Sequence, residues 1–241
     1  MKMRRREMSE YRHEYKYVCT LSQLAYVDNS VKGLMELDAH AKDEGSYSVR
    51  SLYFDDYYDG CYYDNLYGHE PREKFRIRIY NADSLRINME LKRKQKGKVR
   101  KESCKLSSDI CKQIMSGENL DINAIDSALY RKFYLQYSSK LLRPKVIVEY
   151  DRVPYIYKDG NVRVTLDKNI RSSNLCQDFL EKDIYFRPIM EKNMHLLEVK
   201  FDEYIPDFIY QVVENEKLKQ TTFSKYFLCR KYGLGGCNNE F

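Results

Sequence analysis

Tryptophan is absent from this sequence, and histidine, proline and glycine are scarce, with four, five and ten residues among 241. No apolar run approaches the roughly 18 residues that a membrane-spanning helix requires. The N-terminal segment is basic but lacks the apolar core of a secretory signal peptide. We therefore expect a cytoplasmic protein with no transmembrane segment.

The cysteines and histidines also lack the spacing of a structural or metal site. The number of cysteines is odd and no C-x-x-C motif occurs, so neither a disulfide framework nor a zinc site is predicted. Scattered, buried thiols in a reducing compartment are expected instead. The cysteines are Cys19, Cys61, Cys104, Cys111, Cys176, Cys229 and Cys237, and the widely separated histidines are His13, His40, His69 and His195.

The chain is predicted to form one domain over residues 1–241, because no repeat, low-complexity tract or flexible linker divides it. Alternation of apolar and polar residues predicts about eight strands. Hairpin turns are expected at 81–83, near Gly97 and at 159–161. Helices are predicted from a capping box at Thr20 to about Ala39, from Ser107 or Ser108 to Gly117, and over 121–140 and 206–219. The predicted class is α+β, built around a mostly antiparallel sheet.

Positive charge is concentrated in one part of the chain. Residues 74–105 hold twelve Lys or Arg and three acidic residues, a net charge of +9, whereas the whole chain carries +6. A concentrated basic region favours an anionic partner. On composition alone, a charged face in contact with solvent remains the alternative.

The basic residues recur at every second position of the predicted strands. Side chains alternate faces along a strand, so Lys74, Arg76 and Arg78 share one face while Phe75 and Ile77 share the other. A solvated face usually mixes charges, since like charges opposite one another destabilise strand pairing. If eight such strands close into a barrel, the basic face can line the interior, where the 23 tyrosines also suit a wet environment. Parity alone leaves open a simpler arrangement, with one face on helices and the other in water.

A series of short motifs then appears in a recognisable order: RHEYKY, SLYFD, REKFRIRIY, MELKRK, VEYDRVPY, VRVTLD, LEVKFDEYIPDF and FSKYFLCRKY. Together they cover about residues 11 to 232 and resemble the VTC domain of polyphosphate polymerases, within the triphosphate tunnel metalloenzyme (CYTH-like) superfamily. The resemblance implies an antiparallel eight-stranded β-barrel with flanking helices. It also implies that the basic interior holds the triphosphate of ATP and a growing polyphosphate chain.

The resemblance implies roles for individual residues. Glu198 would be the main ligand of Mn²⁺ or Mg²⁺. The expected catalytic residues are Lys16, Arg76, Arg78, Lys92, Arg152, Arg163, Glu198 and Lys200. The expected substrate-binding residues are Lys74, Lys94, Arg100, Tyr150, Ser224 and Lys225. Among the basic residues 96–101 Arg100 is the one assigned, although Lys96, Lys98 and Lys101 remain open.

Some residues depart from the family pattern or have a second interpretation. Arg12 stands where hydrolases of the superfamily often carry the first Glu, which removes a metal ligand and favours a polymerase. Asn65 stands where relatives often carry a basic residue. Glu14 and Glu90 share the basic face. Structural ion pairs are the preferred interpretation for both, and a role in holding a metal stays open. Asp55 and Asp56 are expected to be turn residues rather than catalytic acids.

The expected partners are therefore ATP, polyphosphate and inorganic phosphate, with no nucleic acid, because an enclosed tunnel cannot admit a duplex. Three alternatives stay open: a triphosphatase of the same fold, a non-catalytic module that binds polyphosphate or an inositol phosphate, and a nucleic-acid-binding protein. The sequence leaves open the primer, the oligomeric state and whether a membrane partner protein receives the product.

Overall fold

The computed structural model describes residues 11–41, 43–214 and 218–234. Within these ranges lie ten strands, six α-helices and three short 3-10 helices at Ala39–Ala41, Asp159–Asn161 and Cys176–Asp178. The strands are β1 (His13–Thr20), β2 (Glu36–Leu37), β3 (Tyr47–Asp55), β4 (Arg72–Tyr80), β5 (Ile87–Gln95), β6 (Lys98–Leu106), β7 (Arg143–Tyr157), β8 (Val162–Ser173), β9 (Arg187–Pro188) and β10 (Met194–Phe201). The helices are α1 (Leu21–Lys32), α2 (Gly60–Leu66), α3 (Ser108–Ser116), α4 (Ala128–Ser139), α5 (Asp207–Val213) and α6 (Lys225–Leu234).

Eight strands form one curled antiparallel sheet in the order β1-β10-β8-β7-β3-β4-β5-β6, and β2 and β9 pair at its margins. The two ends of this order meet where Arg12, just before β1, forms an antiparallel bridge with Val99 of β6. A second bridge joins Tyr17 to Gln220, so the segment before α6 covers more of the free edge of β1. The predicted eight-stranded antiparallel barrel with flanking helices is confirmed.

The most basic strands are joined by a six-residue connection between β4 and β5 and by a two-residue turn between β5 and β6. Asn81 and Ala82, between β4 and β5, both adopt positive φ angles of 50° and 51°. Lys96 and Gly97, between β5 and β6, have φ angles of 50° and 74°. Left-handed residues at both positions of a two-residue turn, as at Lys96 and Gly97, match the twist of the strands that it joins and fix their register. These turns lie where the sequence predicted them.

Three apolar clusters show where the core lies. The first packs the outer face of β3, β4 and β5 against α3 and α4, and the second packs β1, β8 and β10 against α1 and α5. The third lies on the interior face and combines Val49, Val148 and Leu196 with Tyr226 and Cys229 of α6. Part of the barrel interior is therefore filled by α6, and the rest is left for polar side chains.

The helices are shorter than the sequence predicted. The capping box at Thr20 is present, but α1 ends at Lys32 because Gly33 forms its C-terminal cap and residues 36–37 pair with β7. The helix predicted over 121–140 begins only at Ala128, since the preceding residues form turns. Ser107 and Gly117 cap α3 as expected. No helix in the described part of the chain is long and apolar enough to cross a membrane.

The cysteines are only partly as expected. Cys19, Cys111 and Cys229 are buried, whereas Cys61, Cys104 and Cys176 are partly exposed, and all six are free thiols. The expectation of uniformly buried thiols was therefore wrong for three of them. Cys237 lies outside the described residues.

The cluster beneath α4 offers a matched test of the core. Phe133 is fully buried against Phe54 and Phe75, whereas Leu135 on the same helix is 58% exposed. We expect Phe133→Ala to lower the free energy of unfolding by about 3–5 kcal/mol through lost burial and a cavity. Leu135→Ala should change it by less than about 0.5 kcal/mol. Urea denaturation measures both, and equal effects would contradict this packing.

Candidate functional site

A cavity of about 1600 Å³ occupies the polar part of the barrel interior. Its lining is strongly cationic, with thirteen Lys or Arg side chains against four acidic ones. The cations are Arg12, Lys16, Arg72, Lys74, Arg76, Arg78, Lys92, Lys94, Lys101, Arg152, Arg163, Lys200 and Lys225, and the acids are Glu14, Glu73, Glu198 and Asp202. A concave surface with a large excess of positive charge focuses its field on anions.

Strand register explains why these side chains meet. Lys74 lies opposite Lys92 in the β4–β5 pair, and Lys92 lies opposite Lys101 in the β5–β6 pair. Residues opposite one another point to the same face, so the basic parity of β4 continues across its neighbours. Thirteen of the fourteen site residues expected from the sequence line the cavity: Lys16, Lys74, Arg76, Arg78, Lys92, Lys94, Tyr150, Arg152, Arg163, Glu198, Lys200, Ser224 and Lys225.

Arg100 is the exception and requires a correction. It pairs in register with Arg93, whose guanidinium bonds Glu73, and its own guanidinium lies 3.6 Å from Glu102. The odd parity of β6 instead brings Lys101 into the cavity, where its Nζ lies 3.0 Å from the Glu90 carboxylate. The choice between these two residues depends on the register set at the turn at Gly97, which the sequence alone does not fix.

Asp167 anchors two of the expected phosphate ligands. Its carboxylate is fully buried, accepts two 2.7 Å hydrogen bonds from Arg152 and lies 2.7 Å from the Lys225 Nζ. Burial would raise the pKa of Asp167, but the charges of Arg152 and Lys225 lower it below its usual value. Asp167 was not among the expected site residues, although it shares the parity of Arg163 and Thr165 in the motif VRVTLD.

Glu198 lies at the centre of a second group of charges. Its carboxylate contacts Lys225 Nζ at 2.8 Å, Lys200 Nζ at 3.1 Å and Arg152 Nη2 at 3.5 Å. Burial would raise the pKa of Glu198, yet Lys200, Lys225 and Lys16 hold it well below its usual range. Glu198 is therefore ionised at neutral pH and orients the cations around it.

Two further carboxylates, those of Glu90 and Glu14, form ion pairs with other cations of the cavity. Glu90 bonds Arg76 at 2.7 Å and lies 3.7 Å from Arg78, while Glu14 lies 2.7 Å from Lys92. Burial opposes ionisation of both, but neighbouring Arg and Lys charges keep the pKa of each well below its usual range. Their ion pairs match the structural role expected for both residues.

Tyrosine hydroxyls supply neutral contacts between the cations. Arg76 donates to the hydroxyl of Tyr53 at 3.1 Å, and Arg78 donates to that of Tyr150 at 3.2 Å. The Tyr150 ring also lies 4.6 Å from the Lys225 Nζ, in a cation–π contact. Tyr53 was not predicted as a site residue. Its parity in SLYFD places it on the interior face, and that was the only available signal.

The N-terminal end of α6 faces this cavity. The Ser224 hydroxyl accepts a hydrogen bond from the Phe227 amide at 3.3 Å and lies 3.4 Å from the Lys74 Nζ. Lys16 donates to the Phe223 carbonyl at 2.7 Å. Ser224 therefore caps the helix and also lies at the cavity wall, where the resemblance placed it.

Asp55 was expected in a turn but is instead the last residue of β3, where it links three elements. Its carboxylate accepts hydrogen bonds from the Cys61 and Tyr62 amides at 2.8 Å and 3.0 Å, and from the Tyr226 hydroxyl. These bonds tie the end of β3 to the start of α2 and to α6. Asp55 is fully buried and does not line the cavity.

The carboxylates at the cavity are too few to hold a divalent cation alone, but they fit one that also binds phosphate. Among the described residues, no group of three or more His, Cys, Asp or Glu side chains could hold a metal by itself. Glu14 and Glu198, however, both lie within 3.4 Å of the Lys200 Nζ and face the cavity. Mg²⁺ and Mn²⁺ prefer oxygen ligands, and Mg²⁺ often takes one or two carboxylates together with phosphate oxygens. The donor set therefore fits a cation that completes its coordination with phosphate.

Two cavity lysines have pKa values near neutral pH. Burial lowers the pKa of Lys74 to about 8 and that of Lys92 to about 7. For Lys92, the attraction of Glu14 opposes this effect, and Lys16 and Lys200 add to it. Part of the cavity charge is therefore lost as pH rises above 7.

Comparisons with known proteins agree with this architecture. A family model described as the VTC domain matches residues 11–232. The structure resembles that of a candidate adenylyl cyclase from Hippeastrum, described as having a dominant triphosphatase activity, with a TM-score of 0.54, 14% identity, and coverage of 92% of this chain and 96% of that one. A candidate adenylate cyclase from Bacillus halodurans gives a TM-score of 0.48 at 14% identity, covering 80% of this chain and 81% of that one. Among curated protein sequences there was no significant match.

The near-neutral pKa of Lys92 predicts how anion affinity depends on pH. A lysine is cationic below its pKa, so affinity for inorganic tripolyphosphate should fall as pH rises from 6 to 8, by roughly three-fold or more. Lys92→Gln should weaken binding at pH 6 and flatten this fall, because the residue that loses its proton is gone. Calorimetric titration at several pH values measures both effects.

Lys112→Gln is the matched control, since Lys112 is exposed on α3 and does not line the cavity. It should retain the wild-type pH profile. A Lys92→Gln profile that runs parallel to the wild type would contradict the role assigned to this side chain.

Proposed function

The chain belongs to the VTC domain family, and we propose that it is a polyphosphate polymerase, which transfers the γ-phosphoryl group of ATP to the end of a polyphosphate chain and releases ADP. The family assignment follows from the match over residues 11–232. It supports a function in triphosphate or polyphosphate chemistry, and the choice of polymerase rests on the cavity itself.

The observation that carries the choice is the excess of positive charge in the cavity. Its lining has a net charge of about +9, and the buried carboxylates of Asp167 and Glu90 reduce this to about +7. A metal-bound triphosphate carries only about two to three net negative charges. The remaining excess is suited to a second phosphate chain beside the nucleotide, as a polymerase requires.

The proposed reaction needs no nucleophile from the protein. A terminal oxygen of the polyphosphate chain attacks the γ-phosphorus of ATP in line, a P–O bond forms, and the bond to the β-phosphate oxygen breaks to leave ADP. The transition state spreads negative charge over the phosphoryl oxygens, so catalysis consists of positioning and electrostatic stabilisation.

The arginines are placed for that task. Arg152 is held by Asp167 through two hydrogen bonds, and Arg76 is held by Glu90 and Tyr53. Such anchoring fixes each guanidinium before substrate enters, and its planar fork can bind two phosphate oxygens. The lysines act as more mobile charges along the chain.

A divalent cation, Mn²⁺ or Mg²⁺, is proposed to bind at Glu198, with Glu14 as a second carboxylate. When bound, it would offset the charge of the phosphates and polarise the transferred group. The lysines that now contact Glu198 would then turn toward phosphate oxygens.

A triphosphatase of the same fold would use the same ligands with water as acceptor. Arg12 is the observation against it, because its guanidinium lies 2.7 Å from Asp202 and bonds the Asn161 carbonyl at the rim. This position therefore carries a cation engaged in the wall of the cavity, where a hydrolase would use an acidic metal ligand.

The products of ATP turnover test the proposal. With purified protein, ATP and Mn²⁺, we expect long-chain polyphosphate and an equivalent amount of ADP, resolved by gel electrophoresis and chromatography. Glu198→Gln should lower this rate by about 10²-fold or more, because a charged group that orients the site is lost.

Glu102→Gln is the control, because Glu102 pairs with Arg100 away from the cavity, and it should turn over ATP at the wild-type rate. Release of free phosphate without polymer would contradict the polymerase and indicate a triphosphatase. Tight binding of ATP or polyphosphate without turnover would contradict an enzyme and indicate a non-catalytic binding module. Retention on duplex DNA at moderate salt would contradict the enclosed site.

The donor set also predicts how the metal binds. We expect Mn²⁺ alone to bind weakly, because Glu14 and Glu198 already neutralise lysines, and to bind at least about ten-fold more tightly when a non-hydrolysable ATP analogue is present. Electron paramagnetic resonance of free Mn²⁺ measures this directly, after subtraction of the Mn²⁺ bound by the analogue alone. Equal affinity with and without the analogue would contradict a site completed by phosphate.

A further inference from the structure

One part of the cavity rim is aromatic rather than charged. Residues 65–68, at the end of α2, line the cavity, and among them Tyr67 is 63% exposed and Leu66 is 47% exposed. The Tyr67 ring stacks on that of Tyr63, with centroids 6.1 Å apart and planes inclined by 14°. Large apolar side chains left exposed at the edge of a ligand cavity are candidates for ligand contact.

The segment that carries Tyr67 is firmly tied to the cavity wall. The His69 amide donates to the Asp64 carbonyl at 2.9 Å, and Arg72 donates to the same carbonyl at 3.3 Å. Glu70 lies 2.9 Å from Lys94 and accepts a hydrogen bond from the Gly97 amide at 3.0 Å. These contacts fix the segment that carries Tyr67 to the cavity wall, so the ring is exposed but lies in an ordered segment beside cavity cations.

We propose that Tyr67 is a stacking platform for the nucleobase of ATP, an inference that rests on the proposed function. Every nucleobase presents a π-face that stacks on an aromatic ring, whatever its hydrogen-bonding pattern. The Tyr67 ring contacts the rings of Tyr63 and His69, the latter with centroids 5.7 Å apart and planes inclined by 37°. Tyr67 nevertheless stays 63% exposed and lines the cavity. Arg72 and Lys94, which line the same rim, would meet the phosphate end of the nucleotide.

A polyphosphate chain does not explain this aromatic surface. Phosphate oxygens gain from cations and hydrogen-bond donors but nothing from an exposed tyrosine ring or a leucine side chain. A ligand with both a polyanionic part and a flat apolar part matches the two kinds of surface. The platform would therefore favour binding of a nucleotide over an inorganic phosphate chain at this part of the cavity.

Binding of two ligands that share a triphosphate distinguishes this role. We expect Tyr67→Ala to weaken the affinity for a non-hydrolysable ATP analogue by about five-fold or more. The affinity for inorganic tripolyphosphate, which has no base, should stay within about two-fold of the wild type. Tyr67→Phe should bind both ligands as the wild type does, since stacking needs the ring and not the hydroxyl. Isothermal titration calorimetry measures each affinity on the full chain.

Tyr58→Ala is the matched control, because Tyr58 is 81% exposed nearby and does not line the cavity. It should leave both affinities unchanged. An equal loss for both ligands in Tyr67→Ala, or no loss for either, would overturn the platform while leaving the triphosphate site intact. Wild-type protein that binds neither ligand would instead contradict the proposed function, and the platform would fail with it.

Discussion

The structure depends on how a few carboxylates hold many cations inside one barrel. Asp167, Glu198, Glu90 and Glu14 each contact two or more Lys or Arg side chains, and three of them are at least 95% buried. An isolated buried charge would be strongly destabilising, and shared pairing makes the cluster tolerable. Because the acids are fewer than the bases, pairing orients the cations without neutralising the cavity. The interior is thus ordered and still attractive to a polyanion.

The interior of this barrel is charged, whereas the interior of a small barrel is usually apolar. The apolar faces of the strands point outward, where α3 and α4 cover one side and α1 and α5 another. The helices are therefore needed to bury the sheet. The chain places them after β1, β3, β6 and β10. Near Tyr226 and Cys229 the interior is apolar, because α6 packs there against Val49, Val148 and Leu196.

The sequence predicted most of this arrangement because strand parity is strict. A period of two carries Lys74, Arg76 and Arg78 to one face whatever the tertiary details, and the ordered motifs supplied the closure of the barrel. The residues and boundaries that the sequence did not predict depend on the register of a turn or on contacts between residues that are distant in sequence. The faces of β6 follow from a two-residue turn, which decides for Lys101 over Arg100, and Asp167 looks like any strand carboxylate until Arg152 and Lys225 are brought to it. The early end of α1 likewise follows from the pairing of residues 36–37 with β7.

Under the proposed function, the excess positive charge of the cavity would affect both the stability of the fold and the retention of the polyphosphate chain. Mutual repulsion among unneutralised lysines opposes the folded state, so a ligand that neutralises them stabilises the fold by mass action as it binds. A growing phosphate chain would satisfy the same cations as the triphosphate, and would therefore stay bound while nucleotides exchange. Discrimination between the two must then come from a surface that only the nucleotide can use. The aromatic rim at Tyr67 is the surface that we propose for this role. Hydrogen bonds from Arg72 to Asp64 and from the β5–β6 turn to Glu70 tie the residues around Tyr67 to the wall that carries the cavity cations.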